Sequence, residues 1–110
     1  MESKYFILDR ETPVTDLGGG VIRQILGFND QLMTVKVMFT RGAIGSMHAH
    51  VNSQTSYCAS GKFEFRVGVE SQTLLPGDGV YIPPGVIHGV ICLEDGILVD
   101  SFNPVRQDFL

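Results

Sequence analysis

The chain has 110 residues and a net charge of −4, from eight Lys and Arg against twelve Asp and Glu. That length is close to the ~100–150 residue mode for one domain with one core, so residues 1–110 are predicted to form a single domain. The acidic balance argues against a protein that neutralises phosphates along nucleic acid. No uninterrupted apolar run approaches the ~18 residues of a membrane span.

Thirteen glycines and five prolines follow no period, which suggests many turns between short strands. Cys58 and Cys92 form no CxxC pair and read as buried thiols in a reducing compartment. No signal-peptide apolar region is visible, so the expected location is the cytoplasm.

Met1 to Arg10 contains Tyr5, Phe6, Ile7 and Leu8, which suit an edge strand in the chain's own barrel or one added to a partner's sheet. Thr12 to Gly20 looks irregular. Gly20 to Phe28 and Leu32 to Thr40 flank Asn29-Asp30-Gln31, and Val35, Val37 and Phe39 alternate with Thr34, Lys36, Met38 and Thr40. This predicts a β-hairpin. Lys62 to Val69 alternates again, with Phe63, Phe65 and Val67 on one face. Gln72 to Leu75, Val80 to Ile82, Ile87 to Leu93 and Gly96 to Phe102 read as further strands, with Glu94-Asp95-Gly96 as a hairpin turn. Asn103 to Leu110 looks irregular. No segment carries a sustained helical stripe. The expected fold is all-β and antiparallel, with little helix, as a sandwich, barrel or jelly roll.

The chain has three histidines, His48, His50 and His88. Alternate strand residues point to one face, so His48 and His50 project together, ~6–7 Å apart along the chain. Gln54 follows a turn-like Val51-Asn52-Ser53 and offers a neutral carbonyl oxygen. His88 comes after Ile82-Pro83-Pro84-Gly85, on a strand that can cross beside the first. A lone His-x-His is usually chance or surface. Here, however, all three histidines fall in two segments free of Asp, Glu, Lys and Arg, residues 43–61 and 79–93.

The spacing is specific. Gly42, five residues, His48-Ala49-His50, three residues, Gln54, six residues, Gly61 resembles the first signature of the cupin superfamily. Gly77, five residues, Pro83-Pro84-Gly85, two residues, His88, three residues, Cys92 resembles the second. The gap between them, residues 62–76, is short, as in microbial cupins. The resemblance implies a cupin-type β-barrel or double-stranded jelly roll, with motif one at 42–61 and motif two at 77–92. It also implies one divalent transition metal held by His48, His50, Gln54 and His88. The family usually has Glu at the position of Gln54 and Asn at that of Cys92. A neutral ligand set leaves the ion its full charge, and Zn, Ni, Mn, Fe or Co all suit it. The motif glycines Gly42, Gly61, Gly77 and Gly85 read as hairpin turns with positive φ.

Leu98, Asp100 and Phe102 share one strand face, and on the residues alone the Asp100 carboxylate belongs on the outer surface. Arg106, near the C-terminus, reads on its own as a solvated charge. Tyr57, Tyr81, Met38 and Arg66 read as packing or solvated strand positions rather than cavity lining. The segment Asp100-Ser101-Phe102-Asn103-Pro104-Val105-Arg106-Gln107-Asp108-Phe109-Leu110, together with Gln54, resembles the pectin degradation (KdgF) group of cupins. That resemblance implies an enzyme that opens and ketonises 4,5-unsaturated monouronates to linear 5-keto-4-deoxyuronate. The ion would bind the substrate's carboxylate and a nearby oxygen. Asp100 would shuttle protons, Arg106 would hold the carboxylate or a hydroxyl, and Phe102 would pack against the sugar. The partner is a small anionic sugar, with no nucleic acid and no membrane, and a homodimer is expected. Two other readings share these motifs: a cyclase-like or dioxygenase metal cupin, and a non-catalytic sugar-sensing cupin.

Overall fold

The computed structural model describes residues 1–110. Eight strands form: β1 (Thr15–Gly18), β2 (Val21–Phe28), β3 (Met33–Phe39), β4 (Ile44–His48), β5 (Ser53–Val67), β6 (Glu70–Leu74), β7 (Gly79–Ile82) and β8 (His88–Asn103). All their pairings are antiparallel. Two short 3-10 turns, Asp9–Glu11 and Gln107–Phe109, are the only helical elements. The all-β, cupin-type barrel is therefore the observed architecture.

Alternation sets the first hairpin. Met33, Val35, Val37 and Phe39 are buried while the residues between them are half-covered, and β3 pairs with β2 along its whole length. Thr12 to Gly20 is more regular than its sequence suggests, because β1 adds to the outer side of β2 and supplies a sheet edge.

The largest difference from the predicted elements lies at Glu94-Asp95-Gly96. It is not a hairpin turn: β8 runs straight through it for 16 residues, beside the 15-residue β5. Register shifts between Cys58 and Phe63 bend the two strands together. Beyond the bend, the first half of β8 pairs with β4 and the second half with β3. Likewise β5 pairs with β7 at its start and β6 at its end. The two long strands thus belong to both walls of the barrel, and the core lies between them around Phe39, Phe63, Cys58, Cys92 and Leu98. Phe39 and Phe63 meet edge to face at 5.2 Å.

Gly61 has φ +82° inside this bend, while Gly42, Gly77 and Gly85 have positive φ in turns. A Cβ on Gly61 would sit 2.5 Å from the Asp95 carbonyl oxygen. One on Gly96 would run into the Ser60 carbonyl. The glycines let the two backbones touch where the walls fold.

Residues 1–8 form no strand, so the barrel does not use them as its own edge. Ser3 ties this arm to Phe28 and the Met1 ammonium pairs with Asp30, while Tyr5 and Phe6 are exposed. No helix is long and apolar enough to cross a membrane.

The bend makes a testable contrast. Gly61→Ala meets both a positive φ and a backbone clash, so urea denaturation is expected to show a loss of about 3 kcal/mol. Gly77→Ala has the same φ problem in open space and is expected to lose only about 1 kcal/mol.

Candidate active site and metal centre

The open ends of the two walls carry the chemistry. β4 and β8 place His48 directly opposite His88, and the chain then leaves β4 with His50. From the other wall, β5 contributes Gln54 and Ser56, paired with Phe102 and Asp100 of β8. The three imidazoles converge, with ring centroids 4.4 Å (His48–His88), 4.8 Å (His50–His88) and 5.5 Å (His48–His50) apart. One nitrogen from each lies within 4.8 Å of the others.

The second nitrogens settle the protonation pattern. His48 Nδ1 lies 2.8 Å from the Ser46 carbonyl oxygen, His50 Nδ1 3.1 Å from that of Asn52, and His88 Nδ1 2.9 Å from that of Val86. A carbonyl only accepts, so each Nδ1 carries the hydrogen and each neutral ring keeps its Nε2 lone pair. His88 Nε2 is buried with no hydrogen-bond partner. Burial, above all, lowers the His88 pKa, against the raising effect of the Val86 hydrogen bond. Backbone carbonyls that orient the far side of each ring are the usual support for metal-ligating histidine.

Gln54 completes the donor set. Its Oε1 is 2.8 Å from His50 Nε2, and its Nε2 donates to Ser56 Oγ at 2.9 Å. Ser56 in turn donates its one hydroxyl hydrogen to Asp100 Oδ1 at 2.6 Å. Since that hydrogen is committed, Ser56 Oγ must accept from Gln54, which turns the amide oxygen towards the histidines. Oε1 and the His50 lone pair then face each other as two acceptors, an arrangement that a cation relieves. The orphaned His88 Nε2 and this acceptor pair both fit a divalent ion. Imidazole and amide oxygen suit Zn, Ni, Mn, Fe and Co alike.

Next to this cluster is a cavity of about 290 Å³, close to the ~300 Å³ lower end for small-molecule sites. Asp100, Phe102, Arg106, Arg23 and Phe109 line it with His48, Gln54 and His88. Asp100 therefore faces inward, not to the outer surface as alternation alone suggested. The face it shares with Leu98 and Phe102 is the buried one, since both are nearly inaccessible. Burial pushes its carboxyl up to about 6, against the lowering effects of the Ser56 hydrogen bond and the Arg106 charge.

Arg106 is likewise not a solvated charge. Its side chain is 12% exposed and held in bidentate fashion by Asp108, Nε–Oδ1 at 3.0 Å and Nη2–Oδ2 at 2.7 Å. That contact holds the Asp108 carboxyl below its ordinary value. Asn52 clamps the tail that carries Arg106, donating to the Pro104 carbonyl at 2.7 Å. Phe102 forms a wall, edge to face with His50 and with Phe109, each at 5.7 Å. Tyr57, Tyr81 and Arg66 are exposed and, like Met38, lie outside this cavity.

The cupin domain family model matches residues 35–99. Over 109 residues the chain is 44% identical to the pectin degradation protein KdgF of Dickeya dadantii, covering 97% of this chain and 98% of that protein. The chain is a cupin of the KdgF group. Among solved structures, an RmlC-like cupin from Shewanella frigidimarina superposes with a TM-score of 0.97 at 45% identity, over 99% of this chain and 98% of that one. KdgF from a Halomonas species superposes with a TM-score of 0.93 at 35% identity, over 98% of this chain and all of that one.

In this cupin, sequence reading missed Ser56, Arg23, Phe109 and Asn52. Two signals were available: Ser56 shares strand parity with Gln54, and Arg23 interrupts an apolar face of β2 opposite Val37. Phe109 and Asn52 had none, because their roles depend on where the tail packs.

Two outcomes follow for the cluster and its carboxylate. A divalent ion at about a hundred times its Kd is expected to stabilise the protein by ~2.7 kcal/mol and raise its Tm on the order of 10 °C. His88→Ala is expected to abolish that shift in a metal-titrated thermal melt. Separately, the folded state holds the Asp100 proton up to pH of about 6, whereas an unfolded carboxyl releases it near 3.8. The folded state thus binds more protons in that window, and this contribution to stability falls as pH rises through it. Relative to Asp100→Asn, the metal-free protein is expected to lose about 2–3 kcal/mol between pH 4 and 7 in urea denaturation.

Proposed function

We propose that this protein opens the ring of 4,5-unsaturated monouronates and ketonises the product to 5-keto-4-deoxyuronate, as an enzyme of polysaccharide catabolism. The observation that carries this reading is the continuous link from the histidine cluster through Gln54 and Ser56 to a half-buried, inward-facing Asp100, beside a cavity with room for one small sugar. Likeness to proteins named for pectin degradation supports the same substrate class.

The reaction is an isomerisation and needs no oxidant. A proton leaves the anomeric hydroxyl, and the C1–O5 bond breaks with its electron pair passing to O5. The aldehyde forms at C1 and an enolate at C5. A proton then adds at C4, and O5 becomes the ketone oxygen. One acid–base group that takes the first proton and returns it at C4 leaves the balance complete.

Asp100 suits that task. Ser56 occupies Oδ1, so Oδ2 is the oxygen left to take and return the proton. A carboxyl with pKa of about 6 is both a usable base and a usable acid near neutral pH. Arg106, locked by Asp108, presents its remaining N–H groups to a hydroxyl or carboxylate of the sugar. Phe102 offers an apolar wall to the ring face and keeps water from the enolate. His48, His50, Gln54 and His88 would hold one divalent transition metal, which supplies Lewis-acidic positive charge for the developing oxyanion. Four neutral donors leave that charge undiminished.

Asp100→Ala is expected to keep its metal content and lose turnover by roughly 10²–10⁴-fold, the usual worth of a positioned acid–base group. The assay follows the fall in ultraviolet absorbance of the unsaturated uronate, with metal content measured on the same sample. Turnover at the wild-type rate would remove Asp100 from the reaction. Absence of turnover by the wild-type, metal-loaded protein on uronates from pectin, alginate and glycosaminoglycan lyases would overturn the reading itself.

A further inference from the structure

The cavity contains two guanidinium groups, and they differ in one respect. Arg106 is paired with Asp108 through Nε and Nη2. Arg23 makes no ion pair within 4 Å and no side-chain hydrogen bond, and its Nε is buried without a partner. Its Cζ sits 3.8 Å from the centroid of the Phe109 ring, and that of Arg106 sits 4.3 Å from the same ring. The ring is therefore a shared support for both cations. Burial, above all, lowers the Arg23 pKa; the Asp108 carboxylate opposes this and the Arg106 charge adds to it.

A half-buried guanidinium with its Nε covered and no ion-pair partner within 4 Å, beside a second cation, is costly to maintain. The cost falls away when an anion enters the cavity. Arg recognises a carboxylate best through two parallel N–H bonds. In Arg106 the Nε–Nη2 edge is already filled by Asp108. In Arg23 the Nε is covered, but neither Nη donates to a protein group, so the pair of Nη groups is the fork left for an anion, and Arg23 lines the same cavity as Asp100 and Phe102.

Arg23 is also placed at a useful distance from the acid–base group. It lies opposite Val37 on β3, which lies opposite Leu98 on β8, two residues before Asp100. Two strand spacings, ~10 Å across the sheet, separate the strand carrying Arg23 from that carrying Asp100. A sugar ring bound between them would turn a carboxylate at one end towards β2.

We propose that Arg23 is the receptor for the substrate's carboxylate and sets the preference of this site for acidic over neutral sugars. The proposal rests on the uronate reading for its substrate. Arg106 is left with a hydroxyl, and the pair Arg106–Asp108 holds the tail in place.

The test compares wild type, Arg23→Met and Arg23→Lys, all metal-loaded and full length, on an unsaturated monouronate and on its neutral methyl ester. For Arg23→Met the KM for the acid is expected to rise about 10–100-fold, the worth of a charge-assisted fork, with kcat within about threefold. The KM for the ester should be unchanged, so the preference for acid over ester disappears. Arg23→Lys, with the charge but not the fork, should fall between. Wild-type preference retained in Arg23→Met, or a loss of kcat at unchanged KM, would overturn the assignment. Should Arg23→Met fail to fold by circular dichroism, the KM of Arg23→Lys decides in the same way.

A binding arm separates this from the activity. Galacturonate and galactose are titrated into wild type and Arg23→Met by calorimetry. Tighter binding of galacturonate to wild type, lost in the variant, supports Arg23 even if no unsaturated uronate is turned over. Equal binding of the two sugars by wild type counts against it.

Discussion

Everything in the site depends on two long strands bending together. Residues 53–67 and 88–103 pair with each other through the fold line, where Gly61 and Gly96 bring the backbones into contact. Because the same strands form parts of both walls, the ends far from the bend face one another across the interior. His88 is the first residue of one strand in one wall, and Gln54 is the second residue of the other strand in the opposite wall. A turn at Glu94–Gly96, as the local residues suggested, would have put Asp100 and His88 on strands with no required relation. The bend makes their relation a matter of backbone geometry.

Within that frame, hydrogen bonds rather than charges assign the roles. Carbonyls of Ser46, Asn52 and Val86 fix all three histidines in the same tautomer. Ser56 fixes the Gln54 amide and at the same time holds one oxygen of Asp100. The departure from the usual cupin Glu thus has a structural partner. A carboxylate at position 54 could only accept, and Ser56 would have to divide its single hydrogen between two acids. Gln54 keeps the chain of donors running in one direction and leaves the metal site neutral.

The electrostatics of the cavity follow from the tail. In a chain of net charge −4, Arg23, Arg106 and a cation-fitted histidine cluster still gather positive charge around one cavity. Asp108 is exposed on the outer side of Arg106, so it steadies that guanidinium without occupying the cavity. Asn52, between His50 and Gln54, anchors the same tail through Pro104 and Val105. The histidine motif and the cavity-lining tail are therefore one mechanical unit, which their distance in sequence conceals.

Period-two alternation identified the β2–β3 hairpin and the inward face of Phe63, Phe65 and Val67, because burial of one sheet face is written directly in residue order. The spacing of His48, His50, Gln54 and His88 was legible for a similar reason: ligands at fixed strand positions recur at fixed intervals. The orientation of Asp100 was not legible, since alternation says which residues share a face but not which face is inside. Nor was Arg23, whose function depends on a guanidinium lacking a partner, and absence of a partner exists only once the walls have closed. The same holds for Glu94–Gly96, where turn-forming residues lie in a strand because pairing with β5 on one side outweighs local preference. Amino-acid order alone determined the strand-rich class and the spacing of the candidate metal donors; only tertiary packing decided where the walls bend, which carboxylate faces the cavity and which arginine there lacks an ion-pair partner.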